Sequence, residues 1–282
     1  MIDLHSHTLS SDGEFSPAEL VARATAAGIT TLAVTDHDTV AGIPDAVEAA
    51  RHLGISVVSG IELSAFLGRR EVHILGHFVD PLEKRLAGHS VLLRAERETR
   101  MDKMTAKLRG LGLPVTVDDV RRVAGDALLA RPHLARALVE RRWVADVKEA
   151  FDRFLGDGCP GYVERFRLDS GDAIALIRGA KGSATVAHPG VTKLERPDLE
   201  ALARQGLAGV EVTHSDHNPS LREKYLGLAR ELGLVPTAGS DYHGPEVTPN
   251  RRLGTVTMDV RDFAELKRRA GRAPTDLGWG TG

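Results

Sequence analysis

Short apolar runs alternate with amphipathic stretches over most of the chain, and most of the runs lead into a polar residue. In the first third, the runs Thr31–Thr35, Ser56–Ile61 and Glu71–Val79 predict buried strands. A helix is predicted to start after Ser16, because the sequence S-P-A-E combines an N-cap, a proline at the first helical position and a capping box. A second helix is predicted from Ile43 to Leu53.

The same alternation returns in the last third. The predicted strands there are Ser183–Ala187, Gly209–Thr213, Leu234–Ala238 and Gly254–Met258, and the predicted helices are Asp169–Lys181, Arg196–Gln205, Pro219–Leu232 and Arg261–Ala270, before a Gly-rich tail. Strands that alternate with helices form parallel sheets with right-handed crossovers, so the predicted fold class is α/β. A closed (βα) barrel, seven-stranded and somewhat distorted, would place the carboxyl ends of the strands on one face.

Residues 82–168 break this alternation, because they are rich in helix-forming residues and poor in β-branched runs. We predict a helical insertion, a cap domain, between two barrel segments at 1–81 and 169–282. The stretch from Lys84 to Arg167 holds 18 Lys and Arg against 12 Asp and Glu, a net +6, which leaves −8 for the rest of the chain. A basic cap on an acidic barrel favours an anionic, phosphorylated substrate. The alternative is a helical decoration whose charges are only solvated.

Bulk composition restricts the setting of the protein. The chain has 282 residues, 42% of them hydrophobic, and a formal charge of −2, as is typical of a globular protein. We expect no signal peptide and no membrane-spanning helix, since no suitable apolar run is present. Cys159 is the only cysteine, so a metal site must use nitrogen and oxygen, and a cytoplasmic location is predicted.

Histidines and carboxylates collect at the ends of the predicted strands. His5 and His7 alternate in the first apolar run, so their side chains share one face of a strand. The predicted metal ligands are His5, His7, Asp12, His37, Glu62, His73, His188, Asp241 and His243. Because one four-coordinate ion cannot use nine ligands, we predict two or three divalent ions with Asp12 and Glu62 as bridges. Imidazole and carboxylate suit Mn²⁺, Fe²⁺ or Zn²⁺ equally.

Such a centre supports attack of a metal-bound hydroxide on phosphorus. We therefore predict no catalytic side-chain nucleophile, and the chain has neither a nucleophilic serine motif nor a phosphate-binding glycine loop. Arg131 and His133 precede or open a predicted helix in the basic cap and are predicted to bind substrate phosphate. His214 follows a strand end and is predicted to contact the substrate, with contact to a metal as the alternative. Asp36 and Asp38 are predicted to orient the ligands.

The order of these motifs resembles the polymerase and histidinol phosphatase (PHP) family. The matching motifs are His5-Ser6-His7 with Asp12, Thr35-Asp36-His37-Asp38-Thr39, Gly60-Ile61-Glu62, Ala187-His188-Pro189 and Gly239-Ser240-Asp241-Tyr242-His243. The resemblance implies a distorted (βα)7 PHP barrel with a trinuclear metal centre that hydrolyses phosphoesters. It implies one metal site at His5, His7, Glu62 and Asp241, a second around Asp12, His37 and His243, and a third around Glu62, His73 and His188.

Within the family, the chain is most similar to stand-alone bacterial members with a helical insertion. Such members are nucleoside 3′,5′-bisphosphate phosphatases or 5′→3′ exoribonucleases on short RNA. The shared features are Ala130-Arg131-Pro132-His133-Leu134-Ala135, Phe154-Leu155-Gly156-Asp157-Gly158 and Glu211-Val212 followed by His214-Ser215-Asp216-His217. One difference is that relatives often continue the His-Pro motif with Gly-Arg-Tyr, whereas this chain has Gly190-Val191-Thr192.

The leading functional hypothesis is hydrolysis of the 3′-phosphoester of a nucleoside 3′,5′-bisphosphate, with release of mononucleotides from short 5′-phosphorylated RNA. The alternatives are a phosphatase for a small metabolite such as histidinol phosphate, and a non-catalytic, metal-stabilised PHP module. The predicted partner is a phosphorylated nucleotide or short RNA. No membrane, DNA duplex or obligate protein partner is expected. Aromatic residues make up only 4% of the chain, which disfavours a base-stacking platform for long single strands.

Overall fold

Seven strands form one continuous sheet in the computed structural model, which describes residues 1–125 and 129–272. The strands are β1 (Ile2–Asp3), β2 (Thr31–Val34), β3 (Ser56–Leu67), β4 (Arg70–His77), β5 (Ser183–Val186), β6 (Gly209–His214) and β7 (Val235–Gly239). They are neighbours in chain order. The sheet nearly closes into a barrel, because Leu4 N donates to Ala238 O of β7 at 3.0 Å. The predicted α/β class and the seven-stranded barrel are confirmed.

The prediction of an all-parallel sheet is wrong at one strand. β4 runs antiparallel to both β3 and β5, whereas the other strand pairs within the sheet are parallel. The reason is the tight turn between β3 and β4 at Gly68, which has a left-handed φ of 61°. A parallel connection needs a crossover of a dozen or more residues, and no such length of chain lies between these two strands.

The strand predicted at Gly254–Met258 is also wrong. The chain there is irregular, although Met258 N donates to Ile2 O at 2.9 Å and Thr257 Oγ1 accepts from Ile2 N at 3.0 Å. The segment thus lies against the short β1 without forming a ladder of its own. The predicted Gly-rich tail lies outside the described residues.

The helices of the barrel part agree with the pattern. They are α1 (Pro17–Ala26), α2 (Ile43–Leu53), α7 (Ser170–Gly179), α8 (Arg196–Arg204), α9 (Pro219–Glu231) and α10 (Val260–Arg269). The predicted capping box is present, because Ser16 Oγ accepts from Glu19 N while the Glu19 carboxylate accepts from Ser16 N at 2.9 Å. Apolar faces of these helices pack on strand residues such as Leu32, Val57 and Val210 to form the main core.

The chain divides into two compact units. One unit comprises residues 1–90 and the described residues from 167 onward, and the other comprises residues 91–166. The helices in and leading into the second unit are α3 (Lys84–Gly110), α4 (Val117–Ala124), α5 (Arg131–Glu140) and α6 (Val147–Ala150), followed by a π-helical turn at Phe151–Leu155. Met104, Leu108 and Leu134 are buried in its separate core. The domain boundaries at 82 and 168 stay a prediction. Among the described helices, none combines the length and the apolar composition that a membrane crossing needs.

Candidate metal centre

The strands and the loops that follow them bring the predicted ligands together, with Glu62 inside β3 and His73 inside β4. Eight of the nine predicted residues fall into three overlapping groups of nitrogen and oxygen donors. The groups are His5, His7, Glu62 and Asp241; His7, Asp12, His37 and His243; and His37, Glu62 and His73. The ninth residue, His188, places Nε2 3.2 Å from Glu62 Oε1. Residues that are more than 200 positions apart in the chain therefore meet at one place, although their role as ligands stays a prediction.

The first group is fully enclosed. His5 Nε2 and His7 Nε2 lie 3.1 Å apart, and they lie 3.2 and 3.1 Å from Glu62 Oε2. Asp241 Oδ1 is 3.3 Å from both nitrogens. Two imidazole nitrogens and two carboxylate oxygens that converge at these separations surround a common point. Such a donor set fits a divalent cation.

The second group is open to solvent on one side. Asp12 Oδ1 lies 3.3 Å from His243 Nε2 and 3.6 Å from His7 Nδ1, and Asp12 Oδ2 lies 3.8 Å from His37 Nε2. The Asp12 side chain is 54% exposed, whereas those of His7 and His243 are 0% and 8% exposed. Asp12 therefore marks the entrance of the site.

Glu62 connects the groups through both of its oxygens. Oε1 lies 2.9 Å from His73 Nδ1, and Oε2 lies 3.2 Å from His37 Nδ1. His37 Nδ1 is buried and has no hydrogen bond, in spite of this short separation. His37 Nδ1 and Glu62 Oε2 are therefore close together without bonding to each other, and a cation could bind both of them. This arrangement fits the predicted role of Glu62 as a bridging carboxylate.

Opposite charges hold the site together. Burial lowers the pKa of His7 and His73, but Glu62 and neighbouring carboxylates outweigh it and raise the pKa of each to about 10. Burial likewise raises the pKa of Glu62, yet the surrounding imidazoles hold it well below its usual value. In His37, burial prevails and lowers the pKa to about 4. Protons on imidazole thus balance the carboxylates, and divalent cations can take over that balance.

Glu211 supports the first group, a role that the sequence motif Glu211-Val212 did not indicate. Its Oε1 lies 3.0 Å from His5 Nδ1, and its Oε2 accepts from His188 N at 2.7 Å. Burial would raise the pKa of Glu211, but the charges of His5 and His214 outweigh it and lower the pKa to about 2. An Nδ1–H donated to Glu211 leaves the Nε2 lone pair of His5 facing the site. The signal for Glu211 was one carboxylate between two valines of a strand.

Gly239 makes room for this contact. A Cβ at Gly239 would lie 2.2 Å from His5 Cβ and 2.6 Å from Glu211 Oε1. No larger residue fits beside these two side chains without moving them. The glycine at the end of β7 is therefore required by the close approach of His5 to Glu211.

Asp36 fixes the loop that carries Asp12. It is buried and accepts from Thr8 N at 2.7 Å, from Thr8 Oγ1 at 2.8 Å and from Ser11 Oγ at 2.7 Å. Asp38 Oδ1 accepts from Ser64 N at 2.9 Å. These four contacts are compatible with the predicted orienting role of the two aspartates, which stays a prediction.

His214 lies behind a candidate ligand. The ring is fully buried, Asp216 N donates to its Nδ1 at 3.0 Å, and its Nε2 lies 3.2 Å from Asp241 Oδ2. Both ring nitrogens therefore have partners within the protein. A substrate contact through His214 stays a prediction, while the observed contact positions Asp241.

The predicted phosphate-binding residues lie in the second unit. Arg131 Nη1 donates to Asp157 Oδ1 at 2.8 Å and to Leu155 O at 3.3 Å, and His133 Nδ1 accepts from Ala130 N at 3.3 Å. Sequence reasoning missed that further arginines gather near Arg131. The group, here called the arginine cluster, is Arg97, Arg100, Arg131 and Arg165.

Like charges in the arginine cluster oppose one another. Burial, and then the charges of Arg131, Arg165 and Arg97, lower the pKa of Arg100. Arg100 Nε donates to Val163 O at 2.7 Å, and its Nη2 is buried without a hydrogen-bond partner. The sequence signal for this cluster was the spacing of Arg97 and Arg100, because residues three positions apart lie on one face of a helix.

Comparisons with known proteins agree with the fold and the site. The PHP domain profile matches residues 3–109. The chain is 36% identical over 249 residues to a 3′,5′-nucleoside bisphosphate phosphatase of Chromobacterium violaceum, covering 86% of this chain and 87% of the relative. It is 36% identical over 247 residues to a 5′-3′ exoribonuclease of Haemophilus influenzae, covering 86% and 90%.

A solved structure extends this agreement. A Bifidobacterium adolescentis protein, assigned as a metal-dependent phosphoesterase, superposes with a TM-score of 0.80 at 32% identity, over 95% of each chain. Fold and site thus define a hydrolase that acts on phosphoesters. The chain belongs to the PHP family, and the predicted resemblance is confirmed.

Proposed function

We propose that this protein hydrolyses the 3′-phosphoester of nucleoside 3′,5′-bisphosphates and releases 5′-mononucleotides from short 5′-phosphorylated RNA. The observation that carries the proposal is the convergence of nine residues with nitrogen or oxygen donors, Glu62 among them. The names of the bisphosphate phosphatase and exoribonuclease relatives support the choice of substrate. Both reactions cleave an ester at a 3′ oxygen next to a 5′-phosphate, so one site serves both.

The three donor groups would hold two or three divalent cations, Mn²⁺, Fe²⁺ or Zn²⁺. His5, His7, Glu62 and Asp241 would hold one of them. Asp12, His37 and His243 would surround a second, and Glu62, His73 and His188 a third. Each set mixes imidazole with carboxylate and contains no sulfur, which is compatible with any of these ions.

Bound cations would lower the pKa of water and neutralise charge on the phosphate oxygens. The side chains of Asp12, His37 and His73 are 54%, 19% and 22% exposed, whereas those of the other predicted ligands are at most 9% exposed. The phosphoester therefore approaches over these three residues, while the buried ligands fix the opposite side of the site.

Nearby hydroxyl groups are already used within the protein. Ser6 Oγ donates to Ala33 O at 2.6 Å, and the hydroxyls of Thr8 and Ser11 donate to Asp36. The protons of these three hydroxyls are thus directed at Ala33 O and at the Asp36 carboxylate, in contacts that hold the surrounding loops. This supports direct hydrolysis rather than a covalent intermediate.

The arginine cluster would supply the second anion contact, to the 5′-phosphate. Arg131 begins α5, and its present partner Asp157 is 78% exposed. An ion pair with an exposed carboxylate is weak, so a phosphate group can replace it. The positive charges of Arg131, Arg165 and Arg97 lower the pKa of Arg100, and a phosphate group bound there would oppose that effect.

The test compares three substrates with Mn²⁺ and with a chelator. These are adenosine 3′,5′-bisphosphate, a 5′-phosphorylated RNA pentamer and histidinol phosphate. We expect release of AMP and phosphate from the first, release of mononucleotides from the second, and loss of both with chelator. Hydrolysis of histidinol phosphate without activity on the two nucleotide substrates would overturn the proposal.

One variant tests the 5′-phosphate contact. We expect Arg131→Met to raise KM for the bisphosphate by roughly tenfold or more, because a charge-assisted hydrogen bond is lost. The same variant should leave hydrolysis of adenosine 3′-monophosphate unchanged, since that substrate has no 5′-phosphate. Arg136→Met, on an exposed position of the same helix, is the matched control. Equal losses on both substrates would contradict this role of Arg131.

A further inference from the structure

Arg251 contacts a candidate metal ligand from outside the donor groups. Its Nη1 donates to Asp241 O at 3.2 Å and forms a close ion pair with Asp241 Oδ2. Its Nη2 donates to Asp216 Oδ2 at 2.7 Å. The Arg251 side chain is only 19% exposed. The guanidinium therefore spans two carboxylates, one buried at the metal centre and one near the surface.

The two oxygens of Asp241 have separate partners. Oδ1 lies 3.3 Å from both His5 Nε2 and His7 Nε2, within the first donor group. Oδ2 lies 3.2 Å from His214 Nε2 and pairs with Arg251. Only Oδ1 is therefore directed at the donor group. A carboxylate without such partners can bind a cation through either oxygen or through both.

Asp241 also needs support in its backbone. Its φ of 53° lies in the left-handed region, which is unfavourable for a residue other than glycine. Asp241 N donates to His5 O at 2.9 Å, and Arg251 holds the carbonyl of the same residue. Arg251 thus contacts the side chain and the main chain of Asp241 together. One planar guanidinium can do this, whereas a lysine ammonium lacks the fork geometry.

From these contacts we propose that Arg251 is a positioning residue, which holds Asp241 as a ligand through Oδ1 alone. The inference rests on the proposed metal centre. It adds Arg251, which acts on the donor groups through Asp241. By pairing with Oδ2, Arg251 keeps Asp241 from rotating and from binding a cation through both oxygens. Asp216 in turn keeps the guanidinium in this orientation.

Titration calorimetry with Mn²⁺ and metal analysis of the full chain test the proposal. We expect Arg251→Met to weaken binding at one cation site by about 10- to 100-fold, the usual effect of losing a group that orients a ligand. The other sites should keep their affinity. Arg251→Lys should recover part of the loss, because a lysine can still pair with one of the two carboxylates. Arg252→Met, at the exposed neighbouring position, is the matched control and should bind Mn²⁺ like the wild type.

The outcomes separate the two levels of the proposal. A wild-type chain that binds no Mn²⁺ would overturn the proposed function itself. A wild-type chain that binds Mn²⁺, together with an Arg251→Met variant of unchanged affinity at every site, would overturn only the role of Arg251. If Arg251→Met does not fold, Asp216→Asn replaces it, and we expect a smaller loss at the same single site. Unchanged binding in Asp216→Asn and Arg251→Lys would then overturn the role.

Discussion

The metal centre and the arginine cluster are both concentrations of charge, but they are built in opposite ways. In the metal centre, carboxylates and imidazoles alternate, so the pKa of His73 is raised and that of Glu62 is lowered. In the arginine cluster, like charges oppose each other, so burial and neighbouring cations lower the pKa of Arg100. Divalent cations would replace the protons of the first arrangement. A bound anion would stabilise the second.

The difference concerns what each region could bind. The carboxylates of the metal centre hold several of its imidazoles in fixed orientations, which suits cations. A cluster of like charges would be stabilised by a phosphate group, as proposed above for the 5′-phosphate. We therefore expect changes in the two regions to affect different kinetic constants.

The largest expected effect is at Glu62. Because it contacts members of all the donor groups, Glu62→Gln should lower kcat/KM by on the order of 1,000-fold, which corresponds to several kcal/mol of lost metal catalysis. Phosphate release from the bisphosphate and from adenosine 3′-monophosphate should fall alike. Glu48→Gln, at an exposed position of α2, is the control. If Glu62→Gln lost activity on the bisphosphate alone, the expected difference between the metal centre and the arginine cluster would be wrong.

A smaller effect is expected at Glu211. Glu211→Gln should weaken Mn²⁺ binding by about 10- to 100-fold in titration calorimetry, because the amide orients His5 less firmly than the carboxylate. KM for the bisphosphate at saturating Mn²⁺ should change little. The exposed Glu223 in α9, changed to Gln, should leave the affinity unchanged. Unaltered Mn²⁺ binding in Glu211→Gln would remove the supporting role of this residue.

An effect on stability, and not on metal binding, is expected at His77, which is buried and whose Nε2 lies 2.9 Å from Leu4 O. Burial lowers its pKa from 6.5 to about 4, so the unfolded chain binds the proton more readily than the folded one. Stability from this group is therefore present above pH 6.5 and is lost as the pH falls towards 4, by up to roughly 3 kcal/mol.

His77→Gln keeps a donor for Leu4 O but does not titrate. The unfolding free energy of the wild type, measured by denaturant titration between pH 7 and 4, should therefore fall more steeply than that of the variant. Curves that stay parallel over this range would show that burial does not control the proton on His77.

Much of the fold and site could be predicted from the chain because the signals are local. The ends of the apolar runs carry His5, Glu62 and Asp241, and strand ends meet on one face of a barrel whatever their separation in sequence. The ligand types and the family resemblance follow from the same residues. Local periodicity does not report strand direction, so the antiparallel β4 was predicted as parallel.

The supporting residues had to come from the tertiary structure. Glu211 reaches His5 across 206 positions of sequence, and Arg251 reaches Asp241 from an irregular segment with no periodic pattern. The arginine cluster joins residues from separate parts of the second unit. The sequence determines which residues of a strand share a face, because the direction of successive side chains depends only on the local backbone. The partner of a carboxylate oxygen depends on how distant segments pack, and only the folded chain brings those segments together.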